Sequence, residues 1–410
     1  MRIAWRNLLR NRWRSGLTAG GVAVAVAVII WMSHMMSAFM SEMIQGATRA
    51  ELGDFQIHSA DYVEEQNLFN AFSADAVSLE ELRAQEGIRA LAPRVHAWGL
   101  IGYEKTSQSA RLLGIDPKHE SQVTATSDAV IAGQWLSEER PEGPTEVVLG
   151  KTLAELLEVQ IGDELVVMLQ AADGSLGNDS LRVVGLVETR NSAIDRHTAF
   201  LRIGDLQWIT ALDGRFHEIA GAVKARRSLD ELVSSLQAKF DSEEPRLVAR
   251  TWGQIVPDLK SMSELSERSM WVFYGIIYLV AGLGLFNTQR MTAYERRREF
   301  GVLLAIGTRP LRLLGQVLLE SALLTAIGGV LGAGLGLLVS WWHSVAGFSL
   351  GDEGFDYMGV AFSELLFFEF DFALAALPLV LIVVIGALCS CWPAAKAARI
   401  NIPSAISGRQ

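Results

Sequence analysis

Four stretches of this sequence contain no Asp, Glu, Lys or Arg: residues 15–41, 269–289, 321–351 and 372–395. A helix needs about 20 apolar residues to cross the hydrocarbon core of a bilayer, and a charge at that depth is costly. Core helices of soluble domains have no need of runs this long. The chain is therefore expected to be an α-helical membrane protein with four transmembrane helices. The residues between the first and second runs must fold outside the bilayer.

Basic residues beside the runs set their orientation, because short cytoplasmic loops collect Lys and Arg. Residues 1–14 hold Arg2, Arg6, Arg10, Arg12 and Arg14 and no acid. The 290–312 loop holds Arg290, Arg296, Arg297, Arg298, Arg309 and Arg312 against Glu295 and Glu299. The tail adds Lys396, Arg399 and Arg409, whereas the 342–371 loop has acids such as Asp352 and Glu369 and no base. Both termini and the 290–312 loop are thus expected in the cytoplasm, with 42–268 and 342–371 on the other side. The net charge of −10 is unevenly spread: residues 40–269 hold 37 of the 46 acids but 22 of the 36 bases. An acidic outer domain argues against a nucleic-acid partner. The basic cytoplasmic edge suits anionic membrane lipids or a protein. The basic start followed by an apolar run resembles a signal peptide, but it lacks a small-x-small cleavage site and reads as an uncleaved anchor.

The expected organisation follows. Residues 1–16 form a cytoplasmic amphipathic helix, with Trp5, Leu8, Leu9 and Trp13 at helical spacing, and 17–41 the first transmembrane helix. Residues 42–258 form a large α/β domain inserted between helices 1 and 2. Its strands are expected near 54–58, 94–102, 110–115, 146–149, 164–169, 181–187, 198–203 and 218–224, and its helices near 78–85, 152–158, 203–212 and 228–240. Residues 259–290 form a continuous stalk and second transmembrane helix, 291–312 a surface helix, 313–342 the third span, 343–371 a short outer loop, 372–395 the fourth span and 396–410 the tail. Gly328, Gly332 and Gly336 make a GxxxGxxxG row in the third span, a flat stripe that admits another helix closely. Glu320, near where that span enters the bilayer, suits either an ion pair with a cytoplasmic arginine or a link that moves with the surface helix.

Catalytic signals are lacking. Gly150-Lys151-Thr152 imitates the end of a phosphate-binding loop, but the position needing the first glycine is Thr145. The seven histidines form no HxH or HExxH pattern, and no GxSxG elbow occurs. Cys389 and Cys391, two apart on a helix, point in different directions. No catalytic residue, metal or cofactor is expected on this chain.

Residues 295–310 read ERRREFGVLLAIGTRP, 316–336 read QVLLESALLTAIGGVLGAGLG, 392–406 read WPAAKAARINIPSAI and 4–18 read AWRNLLRNRWRSGLT. These segments resemble the FtsX-like (MacB/LolC/LolE-type, type VII) permease subunits of ABC transporters. Glu295, Arg296, Glu299, Gly301, Ala305 and Gly307 fall on the family pattern E-R-x-x-E-[IF]-G-x-x-x-A-x-G. The resemblance implies a bacterial inner-membrane permease with a periplasmic MacB-like domain. It implies a partner dimer of cytoplasmic ATPase subunits, which carry ATP and Mg, and a second permease, identical or paralogous. The 290–312 loop would then be the coupling helix, with Glu295, Arg296, Arg298, Glu299, Phe300, Gly301, Leu304 and Gly307 as ATPase-coupling residues. Motion would pass up the stalk to the periplasmic domain, a mode called mechanotransmission, and the glycine seam would suit dimerisation.

The short segment before the first span leaves no room for a fused ATPase, so a separate subunit is expected, as in lipoprotein-releasing systems. The leading expectation is extraction or trafficking of lipoproteins or other outer-leaflet lipidated cargo, with a lipoprotein or a periplasmic carrier or adaptor as further partner. The alternatives are an efflux-type permease for peptides or small molecules, and a transmembrane regulator of a periplasmic hydrolase. The gap between the first two spans at the outer leaflet is the expected cargo position, with Met35, Phe39, Met43, Val272 and Ile276 as candidate apolar wall residues.

Overall fold

The computed structural model describes residues 12–189, 191–225, 228–241, 246–351, 355–357, 360–362 and 364–398. The amphipathic helix expected over 1–16 and the end of the tail motif therefore lie largely outside the described residues. Among the described residues, four helices are long and apolar enough to span a membrane: Arg12–Leu52, Pro257–Glu295, Pro310–Ala346 and Phe372–Lys396. Each extends beyond its charge-free run, because good helix formers such as Leu259 and Glu264 flank the apolar core. The first ends in a π turn, Thr48–Leu52, closed by Gly53 at φ 72°. The chain divides into a membrane unit and an α/β unit, with boundaries at Met40/Ser41 and Met262/Ser263.

Within the membrane unit, the glycine row seats the first helix. A Cβ on Gly328, Gly332 or Gly336 would meet the backbone oxygens of Ala19, Ala23 and Ala27 at 2.7, 2.4 and 2.9 Å respectively. Two stripes of small residues thus bring two backbones together. In lipid, close packing rather than apolar burial holds helices against each other. This corrects the reading of the seam as a dimerisation surface: the chain's own first helix fills it. On the other side of the third helix, Gly329 approaches Leu379 and Ile382 of the fourth. Ser321 also donates to the Gly386 carbonyl at 3.1 Å.

The α/β unit is built on ten strands in one mixed sheet: β1 Phe55–Ser59, β2 Ile88–Tyr103, β3 Thr106–Ile115, β4 Val130–Gly133, β5 Thr145–Gly150, β6 Glu164–Gln170, β7 Leu176–Val187, β8 Thr198–Arg202, β9 Glu218–Val223 and β10 Leu247–Thr251. The order is β10-β1-β9-β2-β3-β8-β5-β7-β4, with β6 pairing both β2 and β7. Strand β6 alternates in burial, Leu165, Val167 and Leu169 inside and Val166 and Met168 outside, as a half-solvated strand must. Strand β1 is buried along its whole length. Phe55, Ile57, Leu91, Val95, Leu149 and Leu201 belong to the main core. Gly150 ends β5 where the chain leaves no space for a side chain, since a Cβ would lie 2.3 Å from the Asp195 carbonyl oxygen. Lys151 pairs with Glu188 at 2.7 Å. The GKT triplet is thus explained by strand-to-helix packing.

Candidate functional site

The segment joining the second and third membrane helices forms a helix, Arg297–Ala305. Its end is a Schellman turn. Thr308 N–H bonds the Leu303 carbonyl at 3.0 Å and Gly307 N–H bonds that of Leu304 at 3.1 Å, with Gly307 at φ 92°. A side chain at position 307 would strain that turn. Pro310 then opens the third membrane helix at its first turn, where its missing N–H costs nothing. The short helix is thereby pinned at both ends.

Arg296 holds it from inside. Its Nη1 donates to both Glu320 oxygens at 3.1 and 2.9 Å, and its Nε donates to Glu299 at 3.0 Å. Its guanidinium lies 5.1 Å from the Phe300 ring centroid. Burial alone would pull the Arg296 pKa down, but Glu320 and Glu299 more than offset it and hold the group above its ordinary value. Glu295 accepts a two-pronged contact from Arg14 at the start of the first membrane helix. Lys396, near the end of the fourth helix, donates to the Tyr294 hydroxyl at 3.1 Å. All four membrane helices therefore converge on this connection through named polar contacts.

The two faces of the short helix differ. Phe300 and Gly301 are buried, and Phe300 packs with Leu313, Val317 and Ala394, with Leu303 and Leu304 beside them. Arg298, Glu299 and Gly307 are exposed. So are Val302, Ile306 and Leu311, the last two at 74% and 80%. Of the eight expected coupling residues, Phe300, Gly301 and Leu304 turn inward, while Arg296 joins the helices. The outward surface is Arg298, Glu299, Val302 and Ile306, and the last two were not among the expected set. The i, i+4 spacing of 298, 302 and 306, opposite Phe300 and Leu304, carries that signal in the sequence.

The five candidate wall residues do not form one surface. Met35 and Phe39 pack against the buried cluster of Ala38, Leu366 and Phe368, which Phe348 and Leu350 also join, in the segment after the third membrane helix. Met43 is 1% exposed, whereas Val272 is exposed. Ile276 does line a groove between the first and second membrane helices, of about 560 Å³, with Val24, Ala25, Val28, Val280 and Gly284. The reason is helix rotation. Toward the outer end of the first helix, Ser33 and Met36 face the second, through Tyr274 and Ser266, which turns Met35 and Phe39 elsewhere.

The MacB-like periplasmic core domain matches residues 15–239, and the FtsX-like permease C-terminal domain matches residues 271–402. The lipoprotein-releasing system transmembrane protein LolC of Neisseria meningitidis is 24% identical, over 82% of this chain and 82% of its own length. The macrolide export ATP-binding/permease protein MacB of Bdellovibrio bacteriovorus is also 24% identical, over 81% of this chain and 52% of its own length. The crystal structure of the periplasmic region of MacB from Actinobacillus actinomycetemcomitans is similar with a TM-score of 0.36 and 13% identity, covering 50% of this chain and 92% of that one. With four helices able to span a membrane and both domain families matched in order, this chain belongs to the FtsX-like permeases with a MacB-like periplasmic core domain, the type VII permeases of ABC transporters.

Proposed function

We propose that this chain is the permease subunit of a mechanotransmission ABC transporter, coupling ATP hydrolysis by a separate cytoplasmic ATPase to motion of its α/β domain in the periplasm. The observation that carries the reading is the short helix Arg297–Ala305. It exposes two charges and two apolar side chains outward, while Arg296 and Glu295 tie its root to the third and first membrane helices. A push on the outward face reaches those helices through the two ion pairs. The sequence holds no GxxxxGK[ST] loop, which supports ATP and Mg binding on the partner alone. Both termini lie in the cytoplasm on this reading, and a second permease, identical or paralogous, completes the complex in the inner membrane.

The proposed cargo is a lipoprotein or another lipidated molecule of the outer leaflet. The match to LolC along 82% of that protein's length supports it. A second reading, export of a peptide or small molecule, is supported by the match to MacB. Depletion separates the two: the first predicts lipoproteins retained in the inner membrane, the second only altered efflux.

The coupling assignment is tested by Val302→Asp combined with Ile306→Asp, and separately by Glu299→Lys. These exposed positions tolerate substitution without loss of the fold. Recovery of the ATPase with the purified permease should fall about tenfold, which corresponds to roughly 1.4 kcal/mol. Full recovery of the ATPase together with full ATP-driven activity in both variants would show that this helix is not the docking element.

A further inference from the structure

One face of the α/β sheet carries a row of polar side chains that the coupling reading does not use. Strand pairing puts them together. Gln56 on β1 lies opposite Arg250 on β10, His58 opposite Glu218 on β9, Glu218 opposite Arg94 on β2, and Trp98 on β2 opposite Arg111 on β3. Directly opposed residues share a sheet face. The segment containing Tyr62 and Phe69 stands over this face, and between them lies a cavity of about 400 Å³. That is within the ordinary size of small-molecule sites.

Three arginines meet at or beneath this cavity, and two are committed. Arg94 is fully buried and held by Glu120 at 2.7 and 3.0 Å and by Glu218 at 2.6 Å. Arg111 donates to Glu51 at 2.6 Å. Arg250 lines the cavity half-buried and has no carboxylate within ion-pair distance among the described residues. A guanidinium is a planar fork that matches one carboxylate with two parallel bonds. Glu51 and Glu218 also line the cavity, and they repel a second negative charge. The walls contribute aromatic surface: Tyr62 lies stacked on His58 at 5.4 Å, and Phe69 and Trp98 are 58% and 62% exposed.

We propose that this cavity binds a small organic monocarboxylate with a flat apolar body, its carboxylate on Arg250 and its body against Trp98, Phe69 and Tyr62. A dianion such as phosphate is disfavoured by the two glutamates, and an amine by Arg250. This site is independent of the cargo that the membrane helices handle.

The test uses the full chain in nanodiscs and ligand-observed NMR with benzoate, hexanoate and benzylamine as probes. Benzoate should bind and benzylamine should not. Arg250→Gln should weaken benzoate at least about tenfold, the loss expected of a charge-assisted bidentate contact. Trp98→Ala, at a largely exposed position, keeps the fold intact and should weaken benzoate severalfold. The proposal is overturned if neither benzoate nor hexanoate binds. It is equally overturned if benzylamine binds as well as benzoate, or if both variants hold benzoate as the unaltered chain does.

Discussion

Arg94 in the α/β unit and Arg296 in the membrane unit each draw three pieces of chain together, but in different surroundings. Arg94 has no solvent exposure and joins its own strand to Glu120 on the helix Pro117–Val123 and to Glu218 on β9. Arg296 joins the end of the second membrane helix to Glu299 and Glu320, and its side chain and that of Glu320 keep 13% and 14% exposure. A fully buried charge is tolerable only with its partners in place, so Arg94 acts as a fixed staple. A pair at the edge of solvent can shift its bonds at low cost, and this is what a moving joint requires. Burial therefore distinguishes a structural arginine from one fit to transmit force.

The comparison is tested hardest at Arg94. Arg94→Met leaves Glu120 and Glu218 buried without a counterion and should cost about 3–5 kcal/mol. We expect the α/β unit to lose its fold, seen as protease sensitivity of residues 48–256 in the full chain. A variant with an unchanged melting temperature would mean that water or relaxation already compensates these carboxylates, and the contrast with Arg296 would vanish.

The histidines beside Arg94 give the next largest effect. Burial, with the neighbouring His96 adding to it, lowers the His217 pKa from its ordinary 6.5 to about 4, and burial lowers His58 as well. A depressed histidine binds fewer protons folded than unfolded. Its contribution is therefore whole above pH 6.5 and lost as pH falls toward 4. For His217 the full loss is about 3 kcal/mol. Burial would raise Glu218, but Arg94 and the His96 hydrogen bond outweigh it and keep this carboxylate ionised through the same window. His217→Gln keeps an acceptor for the His96 N–H and a donor for the Leu68 carbonyl, the two hydrogen bonds of the His217 ring. The fall in melting temperature between pH 7.5 and 4.5 should then shrink. An undiminished fall would assign the acid sensitivity to other groups.

Sequence reading reached these two regions unequally. The position of the short cytoplasmic helix was plain, because charge next to long apolar runs is a strong local signal, and the strand cores in the α/β unit stood out for their β-branched runs. Strands β4 and β10 were missed. Val130–Gly133 is an edge strand and Leu247–Thr251 is made a strand by β1, almost 200 positions away. Pairing at that separation leaves little local trace. The stripe Gly328-Gly332-Gly336 announced a close helix contact, but not that Ala19, Ala23 and Ala27 would fill it. The wall residues failed for the same reason: sequence gives the period of a helix, while its rotation comes from contacts such as Ser33 with Tyr274. Arg250 carried no sequence signal, since an arginine in a strand is visible as unpaired only once its neighbours are placed.

The smallest stability effect should accompany the largest functional one. Arg296→Gln removes a partly exposed pair and should cost about 1 kcal/mol or less of stability. The permease should still assemble with its ATPase, because the outward residues Arg298, Val302 and Ile306 are untouched. Cargo-linked ATP hydrolysis should nevertheless fall about tenfold, since the root of the helix is no longer tied to the third membrane helix. Charge exchange, Arg296→Glu with Glu320→Arg, restores that tie but places a carboxylate at position 296 beside Glu299, so rescue should be partial. If Arg296→Gln instead destabilised the chain as severely as Arg94→Met, the pair would be a second staple, and transmission would have to run through Arg14 and Glu295. If coupling were unaffected, the Arg14–Glu295 pair and the buried contact of Phe300 with Leu313 and Val317 would carry the push without Arg296.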